Sequence, residues 1–279
     1  MEAEAAPPRS THGSCGGTRP CARVEREPAW KSLRMNDERR RVRATNRRAA
    51  LALLLIAGPC LSACVTPSST RPENLPAHIN DVFLDEEMNV DGFVERFEGE
   101  SRAVYAHRVA IVEALDLSPG DVVADIGAGT GFFSFLFAKA VGAKGRVQAV
   151  EISPRFLDYL RAQSDARSVQ NVDVVAGTTN SVELPAGGTD LAFICDVYHH
   201  FEAPMESLAS LYDAIEPGGE LVLIEFHRIE GVTNEFIFEH VRAGREVFQA
   251  EIEAAGFRFE DEIELEGLDD NYILRFTRR

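Results

Sequence analysis

The chain has 279 residues, with 29 Lys and Arg against 45 Asp and Glu and a formal net charge of −16 at pH 7. The charge is uneven: residues 1–63 hold 12 basic and 6 acidic side chains, so the remainder nets −22. So acidic a region repels phosphate backbones, which argues against nucleic acid as a partner and favours a small molecule or a basic or neutral one.

Residues 1–34 are rich in Pro, Gly, Ser and Arg and have no apolar period. They read as a disordered or wrongly assigned extension ahead of a natural start at Met35. Arg39, Arg40, Arg41, Arg43, Arg47 and Arg48 then precede an apolar run from Ala49 to Ala57, and Leu61-Ser62-Ala63-Cys64 follows. A basic segment, a short apolar run and small residues before a cleavage point are the layout of a secretory signal. The apolar run is too short to span a bilayer. Arg47-Arg48 partly resembles a twin-arginine export signal.

Leu-Ser-Ala-Cys resembles the lipobox of bacterial lipoproteins. The resemblance implies a lipoprotein signal peptide over 35–64, a membrane-inserted lipid on Cys64, a polar tether over 65–90 and a domain over 91–279. If the signal is used, the domain sits in the cell envelope on the periplasmic face; otherwise it stays in the cytoplasm. Cys15, Cys21 and Cys60 precede Cys64, and only Cys195 follows it, so no disulfide is expected within one processed chain. No Cys/His spacing of the metal-binding kind is present, and no metal is expected.

Within the domain, apolar spacing predicts an amphipathic helix over 91–116, stopped by Ser118-Pro119-Gly120. A strand over 121–126, a glycine loop over 127–131 and a helix over 132–141 follow, with Phe132 and Phe133 expected as core packing. A strand over 145–152 leads to Ser153-Pro154, an N-cap with Pro at N1, which opens a helix to about residue 167. Strands over 171–176 and 190–196, a helix over 204–215 and a strand over 220–226 come next. A long helix over 235–255 ends at Gly256, and strands over 257–265 and 271–277 close the chain. Alternating strands and helices imply an α/β fold with a parallel sheet covered on both faces, and the last two strands an antiparallel edge hairpin.

A strand feeding a glycine turn into a helix puts a ligand at the carboxyl end of the sheet. Glycines at 127, 129 and 131 let backbone approach that ligand closely. A dinucleotide site needs glycine at the position where Phe132 stands, so a nicotinamide-dependent reductase is disfavoured. Asp125, two residues before Gly127, repels a pyrophosphate and suits a cation.

Val122-Val-Ala-Asp-Ile-Gly-Ala-Gly-Thr-Gly131 resembles the first motif of class I S-adenosylmethionine-dependent methyltransferases. Val150-Glu151-Ile152 resembles the end of their second strand, and Pro217-Gly-Gly-Glu-Leu-Val-Leu-Ile224 their entry to the fifth. The similarity covers most of residues 100–277. It implies a Rossmann-like methyltransferase fold, a seven-stranded mostly parallel sheet with an antiparallel C-terminal edge hairpin and helices on both faces. It also implies S-adenosyl-L-methionine as cofactor, held by Asp125, Gly127, Ala128, Gly129, Gly131, Glu151, Ile152, Thr178 and Asp196, with Glu151 chelating the ribose hydroxyls. Many relatives carry an Asp after the third strand that receives the adenine amino group. This chain has Ala176-Gly177-Thr178-Thr179 there, leaving the Thr178 hydroxyl to accept that bond.

The fourth strand leads into Asp196-Val-Tyr-His-His-Phe201, which resembles methyltransferases acting on small molecules. His199 or His200 is the expected general base, and Asp196 or Tyr198 is expected to orient the base or the acceptor. Arg102, Tyr105 and Arg108 sit where relatives carry a lid, with Tyr105 the expected contact. Glu225 and His227 are further candidate acceptor contacts. The expected function is methyl transfer to a small-molecule acceptor. The alternative is a non-catalytic envelope lipoprotein that keeps the fold as a binding module.

Overall fold

A computed structural model describes residues 71–279; the extension, the signal with Cys64 and the first residues of the tether lie outside the described residues. Seven strands form one sheet: β1 (Val122–Ile126), β2 (Arg146–Glu151), β3 (Val172–Ala176), β4 (Thr189–Cys195), β5 (Ile215–Phe226), β6 (Phe257–Glu262) and β7 (Asn271–Arg278). Their spatial order is β3-β2-β1-β4-β5-β7-β6. The first five run parallel, while β7 is antiparallel to both β5 and β6. This is the expected mostly parallel sheet with its antiparallel C-terminal edge. Leu191, Ala192, Phe193 and Ile194 of β4 are all fully buried, as strands covered on both faces must be.

Nine helices longer than one 3₁₀ turn lie among the described residues. They are α1 (Asp81–Leu84), α2 (Val90–Phe97), α3 (Ala103–Ala106), α4 (Arg108–Ala114), α5 (Phe132–Val141), α6 (Pro154–Ala166), α7 (Pro204–Ala214), α8 (Glu235–His240) and α9 (Arg245–Ala254). A 3₁₀ turn spans Tyr198–His200. None of the described helices is long and apolar enough to cross a membrane. The Ser153 side chain caps α6 by accepting from the Phe156 N–H, as expected. Two apolar layers flank the sheet. Phe133, Phe137 and Phe193 pack on one face, and Tyr198, Leu211 and Phe248 on the other.

Both long helices expected from spacing are broken. The 91–116 stretch forms α2, α3 and α4, because the chain leaves the helix after Phe97 through Gly99, a residue with little to lose by doing so. The 235–255 stretch forms α8 and α9, separated by an extended Val241. That break turns the Arg242 side chain inward onto Glu251, with bonds of 2.9 and 2.6 Å. Strand β5 starts earlier than expected because Ile215 pairs with Thr189 before the register shifts past Pro217-Gly218-Gly219.

The packed chain also begins ahead of residue 91. Leu75, Ile79, Asn80 and Met88, in the stretch expected as tether, are buried. Asn80 donates to the His200 carbonyl, 3.1 Å away, and Phe83 packs 6.4 Å from Phe156 of α6.

Candidate functional site

A cavity of about 740 Å³ opens at the carboxyl ends of β1, β2 and β4. The strand order reverses between β1 and β4, the position where open α/β sheets bind ligands. The backbone from Gly127 to Thr130 forms one wall. Gly127 has φ 70° and Gly131 φ 78°. A Cβ at Gly127 would collide with Val197, and one at Gly131 with Leu160, so only glycine fits the turn. Gly131 itself is off the wall: it starts α5 and packs on α6, shaping the loop without facing the ligand space. The Thr130 Oγ1 atom is buried with no hydrogen-bond partner among the described residues.

Two carboxyls sit against this loop. Glu151 Oε2 accepts from the Gly129 N–H at 2.8 Å, and Oε1 accepts from the N–H groups of Ile152 and Ser153 at 2.8 and 2.9 Å. Burial raises the Glu151 pKa, and the three backbone donors oppose that rise. Asp125 Oδ2 accepts from the Ser134 hydroxyl at 2.5 Å. Burial pushes Asp125 up to about 7, with the Ser134 bond pulling the other way. Ile152 and Thr178 also line the cavity. The Thr178 hydroxyl donates to Asn180 Oδ1 at 3.0 Å, which leaves its oxygen lone pairs for an incoming donor. Opposite, Phe83, Phe93, Phe97 and Phe156 make a continuous aromatic wall with neighbouring centroids 5.3–6.4 Å apart.

The segment after β4 departs from expectation in three places. Asp196 adopts φ 53°, rare for a residue with a side chain, and its carboxylate is fully engaged. Oδ2 accepts from Arg102 at 2.7 Å and Oδ1 from Asn271 Nδ2 at 2.7 Å. Asp196 therefore ties Arg102, just ahead of α3, to Asn271 at the start of β7 instead of orienting a histidine. Second, Arg102 lines the cavity in place of the expected Tyr105; Tyr105 packs on Phe132 beneath the Arg108 guanidinium, off the lining. Third, Tyr198 is fully buried in the core and donates to Glu251 Oε2 at 2.8 Å, away from the cavity. It does not orient base or acceptor.

Glu225 takes the orienting role. Completely buried, it accepts from the His199 backbone N–H at 3.1 Å, and both its oxygens lie 2.9 Å from His199 Nδ1. An Nδ1–H held on a carboxylate leaves the Nε2 lone pair free to accept a proton. His200 Nδ1 lies 3.1 Å from Asn80 Oδ1. Burial, then repulsion from His199 and His240, drives the His200 pKa down to about 2, so this ring is neutral near pH 7. His240, at the end of α8, faces it with Nε2 3.3 Å from His200 Nε2. All three histidines line the cavity, and His227 instead packs against Tyr272. Sequence reading missed Asn80, His240 and the aromatic wall. Only the Phe93/Phe97 spacing on α2 hinted at that wall.

The site and sheet define a class I methyltransferase fold, and residues 123–219 match the family described as a methyltransferase domain. The chain is 30% identical over 127 residues to the ubiquinone/menaquinone biosynthesis C-methyltransferase UbiE of Hydrogenovibrio crunogenus, covering 44% of this chain and 50% of that protein. It is 29% identical over 155 residues to the protein-L-isoaspartate O-methyltransferase of Methanococcus aeolicus, covering 54% of this chain and 65% of that one. The chain thus spans less than two thirds of either relative. Among solved structures, a SAM-dependent methyltransferase from Aquifex aeolicus superposes with a TM-score of 0.61 at 22% identity, over 69% of this chain and 100% of that one.

Proposed function

We propose that this chain transfers a methyl group from S-adenosyl-L-methionine to a small-molecule acceptor held in the cavity. The observation that carries this reading is Glu151, fixed by the Gly129 N–H at the end of β2 and beside the glycine loop of a matched methyltransferase domain. S-adenosylmethionine supplies an electrophilic methyl group on a positively charged sulfur. The residues present fit it. Glu151 and Asp125 are buried acids suited to hydroxyls and an ammonium, Thr130 offers an orphan hydroxyl, and the Phe93/Phe97/Phe156 wall suits a flat aromatic base. His199, oriented by Glu225, takes the acceptor's proton, and the Arg102–Asp196 bond holds the lid over the reacting end. The named relatives include a C- and an O-methyltransferase, so their likeness to this chain supports the donor half of the site.

The Asp125 carboxyl gives this reading a pH signature. A cationic donor binds its ionised form, so binding below about pH 7 must expel a proton. Affinity for S-adenosylmethionine is expected to rise about tenfold from about pH 6 to about pH 8 in calorimetric titrations, and Asp125→Asn to flatten that profile. Without ligand the same shift acts oppositely: the buried neutral acid stabilises the fold at low pH, and that contribution is lost as pH rises towards 7.

The acceptor is found by incubating the full chain with the donor and a metabolite mixture and searching for masses raised by one methyl group. A methylated product that disappears in His199→Ala supports the reading; a donor bound but never consumed supports the non-catalytic binding module. The sequence further supports a lipid on Cys64 and a place in the cell envelope. Labelling with a radioactive fatty acid is expected to mark the wild-type chain and not Cys64→Ser. An unlabelled wild type would contradict the anchor.

A further inference from the structure

His199, His200 and His240 place one ring nitrogen each within 4.8 Å of one another. Their ring centroids are 4.4, 5.1 and 5.0 Å apart in pairs. We propose that this triad is a binding site for a divalent transition-metal ion of the Zn²⁺ class, with the fourth coordination position open to the cavity.

The outward nitrogens are set for it. Glu225 occupies His199 Nδ1 from within the sheet, the carboxylate–histidine arrangement that supports metal-bound imidazoles. Asn80 donates through Nδ2 to the His200 carbonyl and to Glu202 Oε1, which presents its Oδ1 as acceptor to His200 Nδ1. Both rings therefore hold Nδ1 as the donor nitrogen against a protein acceptor, which leaves Nε2 as the nitrogen that a metal ion would take. Two imidazoles on a tetrahedral ion at 2.0–2.1 Å are about 3.3 Å apart, nitrogen to nitrogen. His200 Nε2 and His240 Nε2 are separated by 3.3 Å. Three neutral imidazoles and one open position form a catalytic rather than a closed structural zinc site. Phe226, Phe236 and Ile237 also line the cavity on that side.

The metal site stands apart from the methyl-transfer reading, but its use rests on that reading. A bound ion would occupy the His199 lone pair and would replace that ring's role as base: at the open position it would make an acceptor hydroxyl or thiol acidic enough to give its proton to solvent.

The test uses the full chain, stripped with a chelator, with Zn²⁺ alone as probe in competition with a chromophoric indicator. The wild type is expected to bind one tight equivalent. His240→Ala should bind more than about 100-fold more weakly, beyond the 10–100-fold expected of the supporting Glu225→Gln. Wild type that binds no tight zinc, or His240→Ala that binds it as well as wild type, overturns the proposal. Cobalt substitution in the wild type gives an answer independent of any variant's folding. Visible bands of a tetrahedral nitrogen-ligated ion support the triad. An intense thiolate-to-cobalt band would put the metal on cysteines and overturn it. Calorimetry with the donor reads the methyl-transfer half separately, so either part can fail alone.

Discussion

Replacing Glu151 with alanine is expected to weaken S-adenosylmethionine binding by about 100-fold or more, while the protein stays folded. The carboxylate already accepts from Gly129, Ile152 and Ser153, so its position is fixed before any ligand arrives. Hydrogen bonds to a charged acceptor contribute about 1.5–3 kcal/mol each, and two to ligand hydroxyls together exceed the roughly 2.8 kcal/mol of a hundredfold change. Loss of the Gly129 anchor also frees the loop that shapes the cavity wall. Calorimetric titration of wild type and variant measures the difference. Equal affinities would place the donor away from β2.

The second large effect is on stability and lies outside the cavity. The Arg242 side chain is 1% exposed and grips Glu251 through two bonds, while the Tyr198 hydroxyl donates to the same carboxylate. The guanidinium also lies 4.7 Å from the centre of the Phe248 ring. Arg242→Ala leaves the Tyr198 phenol in the core, and the Glu251 carboxylate at its 23% exposed edge, without their cation; a fully buried pair costs about 3–5 kcal/mol to break, and solvent access to Glu251 lowers the loss to roughly 2–3 kcal/mol. The urea midpoint of the full chain should fall accordingly with the slope unchanged. A loss below about 1 kcal/mol would mean the pair is solvated.

The parts of this fold that were legible in the sequence were those coded locally. Apolar runs bounded by glycine and proline gave β1 to β5. Ser153-Pro154 marked the start of α6, and the closely spaced glycines marked the ligand loop. The site's far half is not local. Tyr198 and His199 are adjacent in sequence, but a 3₁₀ turn rotates successive side chains by about 120°, sending one into the core and the other to the cavity. Arg102 rather than Tyr105 lines the cavity because the expected single helix breaks at Gly99, which the apolar spacing on either side does not register. Asn80, His199, His200, Glu225 and His240 come from four separate stretches of chain, so no spacing rule joins them. The expectation of no metal came from local Cys/His spacing, which does not register that His199, His200 and His240 come together in the fold. The triad meets only after α8 stops at His240.

The central claim is that the glycine loop and Glu151 hold an adenosyl donor. Calorimetric titration of the purified full chain with S-adenosylmethionine tests it most directly. One saturable site per chain, with a micromolar dissociation constant that Glu151→Ala removes, is the predicted result. No saturable heat up to millimolar donor would contradict it.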